Sequence, residues 1–135
     1  MISRLSRHLN PSAAGLGLTP SQASALSLIS VRGPLSLTDL ATLEGLNPTM
    51  VSRIVGKLDD ARLIVRSRDE TDLRSATVEA TDDGRQVNDL ISAQRADAVA
   101  DRVNRLTLHQ QKALFAALPA LEALADELNP QITRD

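Results

Sequence analysis

The segment that begins at Asn47-Pro48 constrains the fold of this 135-residue chain more than any other feature. Asparagine is a favoured helix N-cap. Proline suits the first helical position because it lacks a backbone N–H, and an N–H at that position would have no partner within the helix. One face of the following helix would carry the apolar residues Val51, Ile54, Val55 and Leu58. Their spacing predicts an amphipathic helix with one buried side and one polar side.

The same start signal occurs earlier, at Thr19-Pro20, and predicts a helix that ends before Gly33-Pro34. The apolar residues expected on its buried side are Ala23, Leu26, Leu28 and Ile29. A further short helix is predicted from Ser36 or Leu37 to Gly45. A short helix, a tight turn over residues 44–47 and a second helix make up a helix-turn-helix.

After Leu63 the pattern changes from helical to β-prone. Leu63–Val65 and Ala76–Ala80 predict two short strands, and the polar run 66–75 predicts the loop between them. The predicted fold class is therefore mainly α with a small β-hairpin wing: a winged helix-turn-helix lobe followed by a helical lobe.

Two helices are predicted after the hairpin. The first begins at Thr81-Asp82-Asp83-Gly84, where acidic residues favour the positive end of the helix dipole. The second contains Pro119, which is expected to kink it. Its apolar residues recur at 4-3-4-3 spacing at Leu114, Leu118, Leu121, Ala125 and Leu128. Such a stripe indicates a core or a homodimer seam, and we expect the homodimer.

Composition excludes several classes of protein. The chain has no cysteine, which excludes disulfides, thiolate metal sites and a thiol-oxidation switch. The net charge of −2 hides a segment of +3 over residues 47–68, followed by −5 over residues 69–83. The total argues against a charge-driven coat protein and leaves a sequence-reading protein open. No continuous apolar stretch predicts a membrane span or signal peptide, so we expect a cytoplasmic protein with no membrane partner.

The polar side of the second motif helix carries residues that can bind DNA. Arg53 can donate two hydrogen bonds to guanine, and Thr49 and Ser52 can bond base edges or phosphates. The absence of a side chain at Gly56 would let the helix backbone approach the floor of the DNA major groove. Arg74, in the polar loop, could reach an adjacent minor groove. The residues therefore predict a DNA-binding protein.

Two other kinds of function compete with DNA binding. A winged-helix protein-interaction module is the main alternative, and the acidic stretch 69–72 favours it. An enzyme has little support, because His8 and His109 are the only histidines and the chain lacks a Gly-x-Ser-x-Gly elbow and a glycine-rich phosphate loop. We therefore predict no catalytic residues, no metal and no cofactor.

The middle of the chain resembles a known family. The run from Leu35-Ser-Leu-Thr-Asp-Leu-Ala through Asn47-Pro-Thr-Met-Val-Ser-Arg is similar to the winged helix-turn-helix of the MarR family of bacterial transcription regulators. Residues 69–84, which close with Thr-x-x-Gly, resemble its wing and the start of the next helix. The resemblance implies a homodimeric repressor on a pseudo-palindromic operator. It also implies three segments: a dimerisation arm (1–18), a winged lobe (19–82) and C-terminal helices that complete the dimerisation lobe (83–135).

The resemblance assigns DNA contacts by matching positions. Thr49, Ser52 and Arg53 would lie in the major groove, and Ser36 and Thr38 near phosphates. The predicted DNA-binding set is completed by Pro48, Lys57, Arg68, Asp72 and Arg74.

The wing departs from the family pattern at one position. Arg74 matches the wing arginine, and Asp72 matches the acid that orients the wing. Leu73 stands where a second arginine is common, and Arg68 could substitute for it in part.

Members of the family often bind small amphipathic or aromatic acids between their two lobes. The chain has no Trp or Tyr, so any such pocket would be aliphatic. The resemblance leaves room for a small-molecule effector of this kind.

Overall fold

The computed structural model describes residues 1, 4–5, 8, 15–68 and 76–128. It contains two compact units, Met1–Arg95 and Ala96–Asp135. In chain order the elements are α1 (Pro20–Arg32), β1 (Leu35–Ser36), α2 (Leu37–Glu44), α3 (Pro48–Asp60), β2 (Ile64–Arg68), β3 (Ala76–Ala80), α4 (Asp82–Val103) and α5 (Leu108–Leu128). This mainly helical architecture with a small antiparallel sheet confirms the predicted fold class.

The helices of the first unit begin where the capping residues predict. Thr19 and Gln22 form a reciprocal capping box at the start of α1, with the Gln22 N–H 3.2 Å from Thr19 Oγ1. Asn47 Oδ1 accepts a hydrogen bond from the Met50 N–H (2.9 Å) at the start of α3. Ser36 Oγ accepts one from the Asp39 N–H (3.0 Å), which places the start of α2 at Leu37.

One apolar core holds the first unit together. The buried side of α3 has the predicted composition, and α1 contributes Ala23, Leu26 and Ile29 as expected. Leu28 is only half-buried and packs against the edge of this core. The largest fully buried side chains are Leu26, Ile29, Leu40, Val51, Val55, Leu58, Ile64 and Val78. The α3 stripe therefore packs against both the neighbouring helices and the sheet.

The sheet has three strands in the order β1-β3-β2, all antiparallel. The strand β1 was not predicted, because two residues are too few to show an alternating pattern. Its Leu35 lies opposite Val78 of β3. The prediction of a loop beginning at Arg66 was wrong, since β2 continues to Arg68, opposite Ala76. β2 is an edge strand, so pairing with β3 satisfies the backbone N–H and C=O groups of alternate residues, and it does so whatever their side chains are.

The end of α3 is closed by a Schellman motif. The Leu63 N–H donates to the Leu58 carbonyl (2.9 Å) and the Arg62 N–H to the Asp59 carbonyl (2.8 Å). Arg62 adopts the left-handed conformation that this motif requires, with φ 59°. The chain therefore turns sharply from the helix into β2.

The start of α4 is joined to this turn by Thr81. Its N–H donates to the Leu63 carbonyl (3.0 Å) and its hydroxyl to the Arg62 carbonyl (2.8 Å), while Oγ1 accepts from the Gly84 N–H (3.0 Å). An ideal Cβ on Gly84 would overlap the carbonyl oxygen of Leu63. We call Arg62, Leu63, Thr81 and Gly84 the α3–α4 joint.

The second unit contains the helix α5. Thr107 and Gln110 form a capping box at its start, and the helix runs through Pro119 to Leu128. No side chain of α5 is buried. Within the described ranges, no helix is long and apolar enough to cross a membrane.

Candidate nucleic-acid interface

The polar side of α3 is presented to solvent by the burial of its opposite side. Thr49, Ser52, Arg53 and Lys57 are all exposed, whereas the four apolar residues of the stripe are at most 6% exposed. A helix whose apolar side is fixed in a core holds its outer side chains at a defined height and angle. The structure therefore places these four predicted residues on one accessible surface.

The turn between α2 and α3 fixes the angle between the two helices. Gly45 lies in the left-handed region with φ 65°, and the Leu46 N–H donates to the Ala41 carbonyl (3.0 Å). A non-glycine residue at this φ would be strained by its Cβ. The helix-turn-helix predicted from the sequence is thus present, with its glycine in the conformation that the turn needs.

A groove of about 430 Å³ lies between α2 and α3. Three predicted site residues line it: Thr38 from α2, and Pro48 and Ser52 from α3. The Ser36 oxygen already accepts a hydrogen bond as the α2 cap, so only its hydroxyl proton is available to a phosphate. The structure therefore brings Thr38, Pro48 and Ser52 together and gives Ser36 a structural role as well.

The strand β2 adds two arginines to the candidate interface. Arg66 and Arg68 are exposed and two residues apart, so they lie on the same face of the strand. Arg66 Nε lies 3.3 Å from Asp59 Oδ2 of α3. Arg68 belonged to the predicted site and Arg66 did not. Asp72 and Arg74, the two predicted wing residues, lie outside the described residues.

A polar contact ties α2 to α1 behind the interface. The Ser24 hydroxyl of α1 donates a hydrogen bond to Glu44 Oε1 of α2 (3.0 Å). Burial raises the pKa of the Glu44 carboxyl above its ordinary value, and the hydrogen bond from Ser24 lowers it by less. The folded state therefore binds a proton at Glu44 more readily than the unfolded chain does.

We expect Glu44→Gln to stabilise the protein at pH 7 and to lose this advantage in acid. Because the folded pKa is raised, the stability contributed by Glu44 is full below its unfolded pKa and falls as the pH rises through the folded pKa. Glutamine keeps the acceptor oxygen for Ser24 and carries no charge to desolvate. Denaturant midpoints at pH 4 and pH 7 measure the effect, and Glu79→Gln, at an exposed glutamate, corrects for the general loss of a negative charge. A Glu44→Gln variant less stable than the parent at pH 7 would contradict the expectation.

The described part of the chain holds no group of three or more His, Asp or Glu side chains placed to bind a metal ion. The first unit presents an exposed helix that carries an arginine, α3, beside the antiparallel hairpin formed by β2 and β3. This arrangement defines a winged helix-turn-helix, a fold that places its second motif helix in the DNA major groove.

Comparison with known proteins agrees with this class. The model of the MarR family matches residues 18–76. An HTH-type transcriptional regulator of Mycobacterium tuberculosis is 28% identical over 129 residues, which cover 93% of this chain and 88% of the relative. The family match, together with a relative at 30% identity, shows that the chain belongs to the MarR family of winged helix-turn-helix transcription regulators, which are DNA-binding proteins and not enzymes.

Two crystal structures extend the similarity over nearly the whole chain. The Mycobacterium tuberculosis protein Rv1404 is 30% identical, with a TM-score of 0.74 over 90% of this chain and 86% of that one. The MarR family protein Rv2887 of the same organism, in complex with p-aminosalicylic acid, is 27% identical, with a TM-score of 0.69 over 89% of this chain and 91% of that one.

Proposed function

We propose that the protein is a homodimeric transcriptional repressor that acts in the cytoplasm on a pseudo-palindromic DNA operator. The observation that carries the proposal is the exposed row of Thr49, Ser52, Arg53 and Lys57 on a helix whose other side is buried. Side chains held in this way can reach base edges when the helix enters the major groove. Arg68, with Asp72 and Arg74 of the wing, would add contacts beside the groove.

The homodimer is supported by the apolar surface of α5. Leu114, Leu118 and Leu121 are 37%, 43% and 49% exposed and recur on one side of the helix. An apolar stripe of this length is stabilised by burial against a second copy. We propose that residues 83–135, with the arm 1–18, form the dimerisation lobe. The two recognition helices would then occupy major grooves about 34–36 Å apart.

We expect Leu118→Asp to shift the protein from dimer to monomer. A carboxylate in the centre of an apolar seam leaves a buried charge without a partner, and the cost exceeds what the remaining contacts can offset. Ala116→Asp is the matched control: it adds the same charge two residues away, on the opposite side of α5, at an exposed position. Sedimentation velocity over a range of concentrations measures the result, and an unchanged dimer in Leu118→Asp contradicts the proposed seam.

A small amphipathic acid is proposed as the effector that relieves repression. The support is the p-aminosalicylic acid bound to Rv2887 and the family to which both proteins belong. Phe115 is the single aromatic residue of this chain, so the effector site would be lined mainly by aliphatic side chains.

Selection of genomic fragments with the purified full-length protein, followed by footprinting, tests the proposed function. We expect protected half-sites related by a two-fold axis and separated by one helical turn of DNA. A protein-interaction module is the competing function, favoured by the net charge of −2. No enrichment of any sequence would support that module and overturn the operator proposal.

A further inference from the structure

Arg66 is held against α3, the proposed recognition helix, by the carboxylate of Asp59. Its Nε lies 3.3 Å from Asp59 Oδ2, and both side chains remain partly exposed, at 41% and 46%. Arg66 comes from β2 and Asp59 from the last two turns of α3, so the ion pair joins the wing to the recognition helix. Nothing in the local sequence pattern indicates this pairing, which depends on how β2 crosses α3.

The guanidinium of Arg66 also passes close to Gly56. A Cβ built on Gly56 would lie 3.8 Å from Arg66 Nη2, which is ordinary contact distance. Gly56 is on the same side of α3 as Thr49 and Arg53, because residues three, four and seven apart share a helical face. The terminal nitrogens of Arg66 therefore lie beside the surface that carries the proposed DNA contacts.

The geometry leaves donors available on Arg66. A guanidinium has five N–H donors, and the contact with Asp59 is made through Nε. The contact with Asp59 therefore leaves the N–H donors of Nη1 and Nη2 outside the ion pair. Arginine pairs well with phosphate because its planar fork matches the oxygen geometry.

We propose that Arg66 binds a DNA phosphate at the edge of the major groove and that Asp59 is the residue that positions it. Asp59 engages Nε and so directs Nη1 and Nη2 along α3 toward the DNA. This inference rests on the proposed operator binding and assigns two residues that sequence reasoning had not included in the site.

The proposal predicts that removal of the Asp59 charge changes DNA affinity in the direction opposite to the one that charge repulsion alone predicts. A carboxylate near DNA repels the phosphates, so its removal ordinarily tightens binding. If Asp59 positions Arg66, Asp59→Asn instead weakens binding, because the arginine loses its orientation. Asp60→Asn provides the matched control: Asp60 is the next residue, is exposed, and has no ion pair with any described residue.

The test measures affinity for a selected operator duplex over a series of salt concentrations. We expect Arg66→Ala to weaken binding about tenfold, which is typical of a charge-assisted hydrogen bond, and to reduce the slope of log K against log salt by about 0.9. Asp59→Asn should weaken binding about threefold to tenfold, with no further loss when it is added to Arg66→Ala. Asp60→Asn should bind as tightly as the parent or more tightly.

Each failure has a separate meaning. If Asp59→Asn binds as Asp60→Asn does, or if Arg66→Ala keeps the parent salt slope, the assignment of Arg66 and Asp59 is overturned. If the parent itself binds no selected duplex, the proposed operator binding fails first. Thermal melting of every variant reports whether it is folded. If Arg66→Ala melts below the assay temperature, Arg66→Lys takes its place, because lysine keeps the positive charge but lacks the planar fork of guanidinium donors. Arg66→Lys should keep the salt slope and lose affinity; parental affinity in this variant contradicts the proposal.

Discussion

Gly84→Ala is expected to lower the free energy of unfolding by about 2–4 kcal/mol, the range of severe overpacking. The added Cβ would overlap the Leu63 carbonyl oxygen and lie 2.9 Å from the carbonyl carbon. Both atoms belong to the backbone, so no side chain can rotate away. The helix start would have to move, and the hydrogen bonds of Thr81 in the α3–α4 joint would lengthen with it.

Chemical denaturation at a fixed protein concentration measures this loss, because the stability of the proposed dimer would depend on concentration. Gly15→Ala is the matched control, since a Cβ at Gly15 has no neighbour within 4 Å. We expect the control to stay within about 0.5 kcal/mol of the parent, as is usual for surface substitutions. Equal stability of the two variants would show that Gly84 does not contact Leu63 as described.

Arg53→Ala is expected to reduce operator affinity by about 1–3 kcal/mol, which corresponds to a loss of about 5-fold to 150-fold. Arg53 is exposed on the central turn of the polar side of α3, next to Ser52 and one turn after Thr49. A bidentate contact with guanine would be lost outright, and no neighbouring side chain of the helix offers the same fork of donors. The discrimination between the operator and unrelated DNA should fall with the affinity.

Binding to the operator and to a scrambled duplex, measured side by side, separates base recognition from general charge. Arg105→Ala is the matched control, because it removes one positive charge at an exposed position outside the winged lobe. If Arg53→Ala weakens both duplexes equally, Arg53 binds a phosphate and not a base. If neither duplex is affected, Arg53 lies outside the interface.

Local signals in the sequence predicted most of the first unit. The caps at Thr19 and Asn47 and the α3 stripe are short-range patterns, and each fixes a helix start or a buried face without help from distant residues. The resemblance of the Thr81–Gly84 run to a helix start now has a physical cause, since the glycine is required by contact with Leu63.

What the sequence did not predict depends on tertiary contacts. The strand β1 exists because Leu35 and Ser36 pair with β3, and two residues carry no pattern of their own. The sequence pattern predicts a polar loop at Arg66, whereas the pairing of β2 with β3 places this residue across α3. Its partner Asp59 lies in α3, on the other side of the helix end and the turn that follows it, so no single helical or strand period relates the two residues.

The α3–α4 joint has a mechanical consequence for the recognition helix. One hydroxyl, that of Thr81, bonds the carbonyl of Arg62 and the N–H of Gly84 at the same time. Gly84 also packs directly against the backbone of Leu63, so no gap separates the start of α4 from the end of α3. A tilt of the first turn of α4 is therefore passed to the end of α3 and is not absorbed between them. We therefore expect the joint to be rigid, so that the orientation of the first turn of α4 also sets the angle at which α3 would meet DNA.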